Sequence, residues 1–233
     1  MADAPPQSGS RQPEVRRAAA APRPVEGAVG RLLDWFGVDS DWERVPAGRD
    51  AYRRDLLLGA GFAVLAAVSI ELGRSMGIFE DVEKPLWLVF LLGVLSTVPL
   101  AWRRRYPLVS LVLVYGSFLG LGLTIPPVTV LMPMQVMYFV ALFTAVAWAR
   151  DRRAMLVVVG ACVLVMFAWL IWMFAVQQGI ETLLEEYPTP ADWPGLVEPY
   201  LANTIYQLIM NIAFFGGAVL AGQMRWNAAR RRE

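Results

Sequence analysis

Six apolar runs constrain this chain more than any other feature. They lie near residues 54–73, 86–102, 107–124, 131–149, 154–176 and 201–224. Each spans about 17–24 residues, enough to cross a hydrocarbon core about 30 Å thick at about 1.5 Å per helical residue. A membrane strand needs only about 9–11 residues of alternating character, so the runs predict helices. Composition agrees. The chain is 57% hydrophobic and 18% charged, where soluble domains average about 45–50% and about 25%. The expected fold is an all-α membrane protein, a six-transmembrane-helix bundle.

Arginine sets the expected orientation. Arg49, Arg53 and Arg54 precede the first run, and Arg103, Arg104 and Arg105 separate the second from the third. Arg150, Arg152 and Arg153 separate the fourth from the fifth, and Arg225, Arg230, Arg231 and Arg232 follow the sixth. The opposite loops hold only Arg74 and Lys84, among acids such as Glu80, Asp81, Glu83, Glu181 and Glu198. Lys and Arg in short loops stay on the cytoplasmic side, so both termini are expected inside. Trp102, Trp148 and Trp226 fall at the inner boundary, and Trp87, Trp193 and Tyr200 at the outer one, as aromatic belts do. Three arginines in a row before Pro107 predict a tight turn outside the bilayer, with the proline in the first turn of the next helix.

Three stretches follow from this pattern. Residues 1–48 form a cytoplasmic tail. Its first part is rich in Pro, Ala and Arg and is too poor in apolar residues to order itself. Its later part carries Val29, Leu32, Leu33 and Phe36 at helical spacing. That part reads either as a frayed amphipathic turn or as a short helix on the membrane surface. Residues 49–224 form the six-helix domain. Residues 225–233 read as the start of a cytoplasmic signalling helix, since no Gly or Pro closes it.

Catalytic chemistry is sparse. The chain has no histidine, which excludes a His-assisted triad and His metal sites, and its one cysteine, Cys162, lies in an apolar run. No phosphate-binding loop, dinucleotide fingerprint or metal-ligand spacing occurs. No metal and no cofactor is expected, and the arginine clusters need no nucleic-acid partner.

The sensing candidates are polar groups within the runs. Glu71 ends a small-residue stripe through Gly59, Ala63 and Ala67. It reads either as an interfacial acid paired with Arg74 or as a sensing or ion-coupled carboxylate. Asn203, Gln207 and Asn211 recur at every fourth residue of the last helix, with Tyr206 beside them. They read either as interhelical hydrogen-bonding groups or as the wall of a pocket open to the outside. Gly116 and Gly120 on the third helix, and Gly217 and Ala221 on the sixth, have the small-residue spacing of close helix packing. The acidic outer loop 177–200 reads as a solvated loop or as a lid for cations.

The hairpin Trp102-Arg103-Arg104-Arg105-Tyr106-Pro107-Leu108, the second basic turn Ala149-Arg150-Asp151-Arg152-Arg153 and the Arg-rich exit of the last helix carry a resemblance. Over about residues 49–233 the chain resembles the N-terminal membrane domain of actinobacterial sensor histidine kinases, in the subfamily related to nitrate and lipid-fluidity sensors. The resemblance implies a signal-input domain without catalysis of its own, multi-pass in a bacterial plasma membrane. It implies a homodimer in the lipid bilayer, and a downstream kinase core with a response regulator as partners. None of the family's catalytic positions has a counterpart here. A small transporter or permease subunit, with Glu71 and the last helix lining a path, is the alternative. A structural subunit of a membrane complex is a third reading.

Overall fold

The computed structural model describes residues 27–38, 40, 42–45, 48–173, 195–197 and 199–232. All regular structure among them is helical. The elements are α1 (Ala28–Phe36), α2 (Arg49–Ser75), α3 (Leu86–Leu95), a 3-10 stretch (Val98–Trp102), α4 (Pro107–Thr124), α5 (Pro126–Thr129), α6 (Met132–Trp148), α7 (Arg152–Trp172) and α8 (Pro199–Arg230). Residues 1–26 and most of the acidic outer loop, Trp193 included, lie outside the described residues.

Among the described residues four helices are long and apolar enough to cross a membrane: α2, α4, α7 and Leu201–Arg230 of α8. The other two runs give shorter apolar helices, Leu86–Trp102 and Met132–Trp148. The first of these is not one α-helix. Pro99 has no N–H to continue the ladder, and the backbone tightens into the 3-10 stretch after Leu95. The Ser96 and Thr97 hydroxyls donate to the Gly93 and Val94 carbonyls at 2.7 and 2.8 Å, and the Ser110 hydroxyl donates to the Pro99 carbonyl at 2.7 Å. Pro107 starts α4 after the arginine turn, as expected. Asp151 caps α7 by accepting from the Arg153 and Ala154 amides, each at 2.9 Å.

α6 is the axis of the bundle. It packs against α2, α4 and α7, and most extensively against α8. Met134, Met137, Leu142, Ala145 and Val146 are fully enclosed there. Other helices turn apolar side chains outward: Val64, Leu65 and Leu72 on α2, Val157 and Leu164 on α7, Ile209 and Ile212 on α8. A helix apolar on every side suits burial on one flank and lipid on the other.

Several expected packing residues are displaced. On α2 the buried face runs through Asp55, Gly59, Phe62, Ala66, Ile70 and Gly73. Only Gly59 of the expected stripe belongs to it, lying against Ala101 of the 3-10 stretch. Ala63 is half-buried. Because α2 is apolar all round, small-residue spacing does not fix which side faces the bundle. A side chain added at Gly116, Gly120 or Gly217 would meet nothing nearby among the described residues, and Ala221 is exposed. The tight approach of α6 and α8 is at Gly222, where a Cβ would run into the Phe143 carbonyl and the Val146 side chain.

Candidate functional site: the two ends of the last helix

α8 is a single helix of 32 residues, about 48 Å long. It carries one distinctive environment near each end.

At its N-terminal half lies a cavity of about 350 Å³. Asn203, Tyr206, Gln207 and Asn211 of α8 line it, so the structure brings the predicted polar stripe together in one wall. α6 contributes Gln135, Tyr138 and Phe139, and α7 contributes Met166, Trp169, Leu170 and Met173. The aromatic floor is continuous. Tyr138 lies 4.9 Å from Phe118 and 4.7 Å from Phe139, and Phe139 lies 5.2 Å from Phe214, centroid to centroid. The Asn211 amide donates to the Gln207 carbonyl at 2.8 Å. None of the described lining residues carries a charge. Such a space, apolar with a few amides and hydroxyls, suits an uncharged ligand with a polar handle. Its three methionines, Met166, Met173 and Met210, let the wall adapt in shape.

At the C-terminal half, α1 is clasped onto α8. The physical reason is the set of carbonyls that every helix end leaves without an intrahelical donor. Arg152 is 4% exposed and serves two such ends at once. Its Nε donates to the Phe36 carbonyl of α1 at 2.8 Å, and its Nη1 to the Val146 carbonyl of α6 at 2.7 Å. Its Nη2 donates to Gln223 Oε1 of α8 at 2.5 Å. Gln223, fully enclosed, in turn donates through Nε2 to the Trp35 carbonyl at 2.6 Å. A positive group at a helix C-terminus also meets the negative end of the helix dipole. Trp226 completes the clasp. The Arg152 guanidinium lies 4.5 Å from its ring centre, and Trp42 meets it edge-on at 5.4 Å. Gly37, at φ 73°, ends α1 with its amide bonded to Asp34, and its missing side chain leaves room for the Trp226 ring.

The change in composition near residue 48 is therefore not the edge of the packed structure. Residues 28–45 include a formed helix and a segment bonded to the bundle. Arg44 donates to the Ala147 carbonyl and lies 3.7 Å above the Trp148 ring. Trp226, expected in the inner aromatic belt, is 1% exposed and belongs to the clasp, while Trp102 and Trp87 do face outward.

The remaining sequence candidates separate from these sites. Glu71 forms a half-exposed ion pair with Arg74 at 2.5 Å and lines neither environment. A path joining Glu71 to the α8 stripe is not assembled among the described residues. Arg103 and Arg104 fold back from the hairpin onto Asp55, at 2.9 and 3.3 Å, and Asp55 is 2% exposed. Burial lowers the Arg104 pKa; Asp55 opposes that fall, while Arg103, Arg54 and Arg225 add to it. Cys162 packs half-buried against the core.

Sequence reasoning missed Asp55, Gln223 and the caps made by Arg44 and Arg152. The signals available were the place of Asp55 directly after Arg53 and Arg54, and that of Gln223 just before the basic helix exit.

A family model described as a domain of unknown function, DUF7134, matches residues 42–185. The chain belongs to the DUF7134 family. The DUF7134 match begins at Trp42, the residue that meets Trp226, and takes in α2 to α7. α1 and α8 lie outside it. Neither a curated protein nor a solved structure matches the chain.

Proposed function

We propose that this chain is a membrane signal-input domain, which senses a stimulus at the outer cavity and relays it through α8 to a cytoplasmic partner. The observation that carries this reading is the position of α8. The same unbroken helix walls an uncharged cavity with Asn203, Gln207 and Asn211 and is gripped at Gln223 and Trp226. A ligand shifts a conformational equilibrium only if it binds two arrangements unequally. In this reading, occupancy of the cavity and release of the latch at the far end of α8 distinguish the two arrangements.

The topology proposed with it has six spans with both termini in the cytoplasm of a bacterial cell. The 17-residue helix α6 and the apolar piece Leu86–Trp102 sit at the lower end of spanning lengths. Arg49, Arg104, Arg105 and Arg150 gather around one cleft, which supports placing these basic turns on one side. The partner, by resemblance, is the dimerisation helix and kinase core of a two-component sensor in a homodimer. In this reading the chain senses and relays, and catalysis belongs to the kinase core.

The test is a fusion of the chain to a histidine kinase core, reconstituted in liposomes. Gln207→Leu and Asn211→Leu should shift basal autophosphorylation severalfold at unchanged expression. Unchanged output in both would remove the cavity from the signal path. Solute uptake by the unfused chain, abolished by the same substitutions, would replace the sensor reading with a transporter.

A further inference from the structure

A further concave space lies at the opposite end of the bundle from the cavity, and its lining residues are not those of the cavity. A cleft of about 420 Å³ opens between the segment before α2, the arginine hairpin and the α6–α7 turn. Among the described residues five arginines line it, Arg44, Arg49, Arg104, Arg105 and Arg150, against the single carboxylate of Asp55. The positive-inside rule explains why arginines are on this side. It does not explain why three separate basic segments converge on one concave space. Asp55 is already engaged by Arg103 and Arg104. Arg44 is fixed by Trp148 and the end of α6. The cleft is thus prebuilt, with an excess of guanidinium groups at one point.

The adjoining space shows which anion fits. A second hollow of about 460 Å³ shares Arg104, Arg105, Trp148 and Arg150 with the cleft and continues over Leu108 and Val109 at the start of α4. Val109 is 57% exposed. The surface therefore passes from guanidinium groups to bare apolar side chains within one helical turn, at the level where α4 enters the apolar bundle. Guanidinium forks match phosphate oxygens in geometry and charge. Basic pockets at the cytoplasmic ends of membrane helices suit anionic headgroups.

We infer that this cleft binds the phosphate of an anionic phospholipid, with the acyl chains lying along α4. The shared chemistry is a phosphate oxyanion held by Arg49, Arg105 and Arg150. The apolar continuation selects the lipid over a free phosphate.

The experiment uses the full chain in detergent and in phosphatidylcholine nanodiscs doped with phosphatidylglycerol. Native mass spectrometry counts retained lipid, and thermal unfolding is followed with phosphatidylglycerol or with inorganic phosphate. The wild type should retain phosphatidylglycerol in preference to phosphatidylcholine. Arg49→Gln with Arg150→Gln should weaken that retention roughly tenfold or more. Arg53→Gln with Arg231→Gln removes two exposed basic groups outside the cleft and should leave retention near wild type. Arg49→Lys with Arg150→Lys, which keeps the charge, separates lost recognition from lost folding by recovering part of the binding. Stabilisation by inorganic phosphate with no lipid preference would overturn the lipid assignment and leave a soluble phosphate as ligand. Equal losses in the cleft and control variants, or no preference for either probe, would overturn the site itself.

Discussion

The two halves of α8 are held in opposite ways. Its C-terminal half is fixed by buried, charge-assisted hydrogen bonds that tie four helices together: α1, α6, α7 and α8 meet at Arg152 and Gln223. Its N-terminal half faces a cavity, and the one side-chain bond described within the Asn203–Asn211 stripe, from Asn211 to the Gln207 carbonyl, stays within α8 itself. The same helix is thus anchored where it leaves the bundle and weakly committed where it meets the cavity. The proposed relay rests on this contrast between the two ends. The difference also separates its polar residues: the Gln223 side chain is bonded to Arg152 and to the Trp35 carbonyl, while the Gln207 side chain lines the cavity.

Substitutions can break this contrast. The largest effect is expected from Arg152→Met. It leaves the Phe36 and Val146 carbonyls and Gln223 Oε1 without their donor, and an unsatisfied buried acceptor costs about 1–3 kcal/mol. A loss of about 3 kcal/mol or more should appear as a lower unfolding temperature and as protease cleavage within 28–45. Gly37→Val should come next. It forces a branched side chain into φ 73° and into the Trp226 ring, at a cost of about 2 kcal/mol, read as faster hydrogen exchange in α1. Gln207→Leu should change stability by less than about 1 kcal/mol, since membrane side-chain hydrogen bonds average about 0.6 kcal/mol, while still shifting the output of the kinase fusion. A substitution in the N-terminal half that destabilised as much as Arg152→Met would erase the contrast. Glu71→Gln should be smallest of all, with no measurable change in unfolding temperature or output, because its pair with Arg74 is half-exposed.

Much of this was legible in the sequence. The runs predicted the helices of the bundle, and spacing alone placed Asn203, Gln207 and Asn211 on one wall. The spacing of Val29, Leu32, Leu33 and Phe36 pointed to α1. What stayed hidden has a common cause. Arg152 looked like any other arginine of a basic turn, because nothing local shows that its guanidinium ends beneath the Phe36 carbonyl, 116 residues away in the chain. Gln223 bonds to Trp35 across 188 residues. Helices that are apolar on every side gave no phase, so the α2 face was misplaced between Ala63 and Ala66. Pro99 lies inside the run 86–102 that reads as one span, and the structure divides that run into an α-helix and a 3-10 stretch.

The central claim is that the cavity end and the clasp end of α8 are coupled over the sixteen residues from Gln207 to Gln223, roughly 24 Å of helix. Hydrogen–deuterium exchange of the α1 amides in the full chain tests it most directly, with wild type compared against Gln207→Leu and Asn211→Leu. Coupling predicts a severalfold change in exchange across Val29–Gly37, although neither substitution touches α1. Exchange altered only within α8 around residues 203–214, with α1 unchanged, would contradict it.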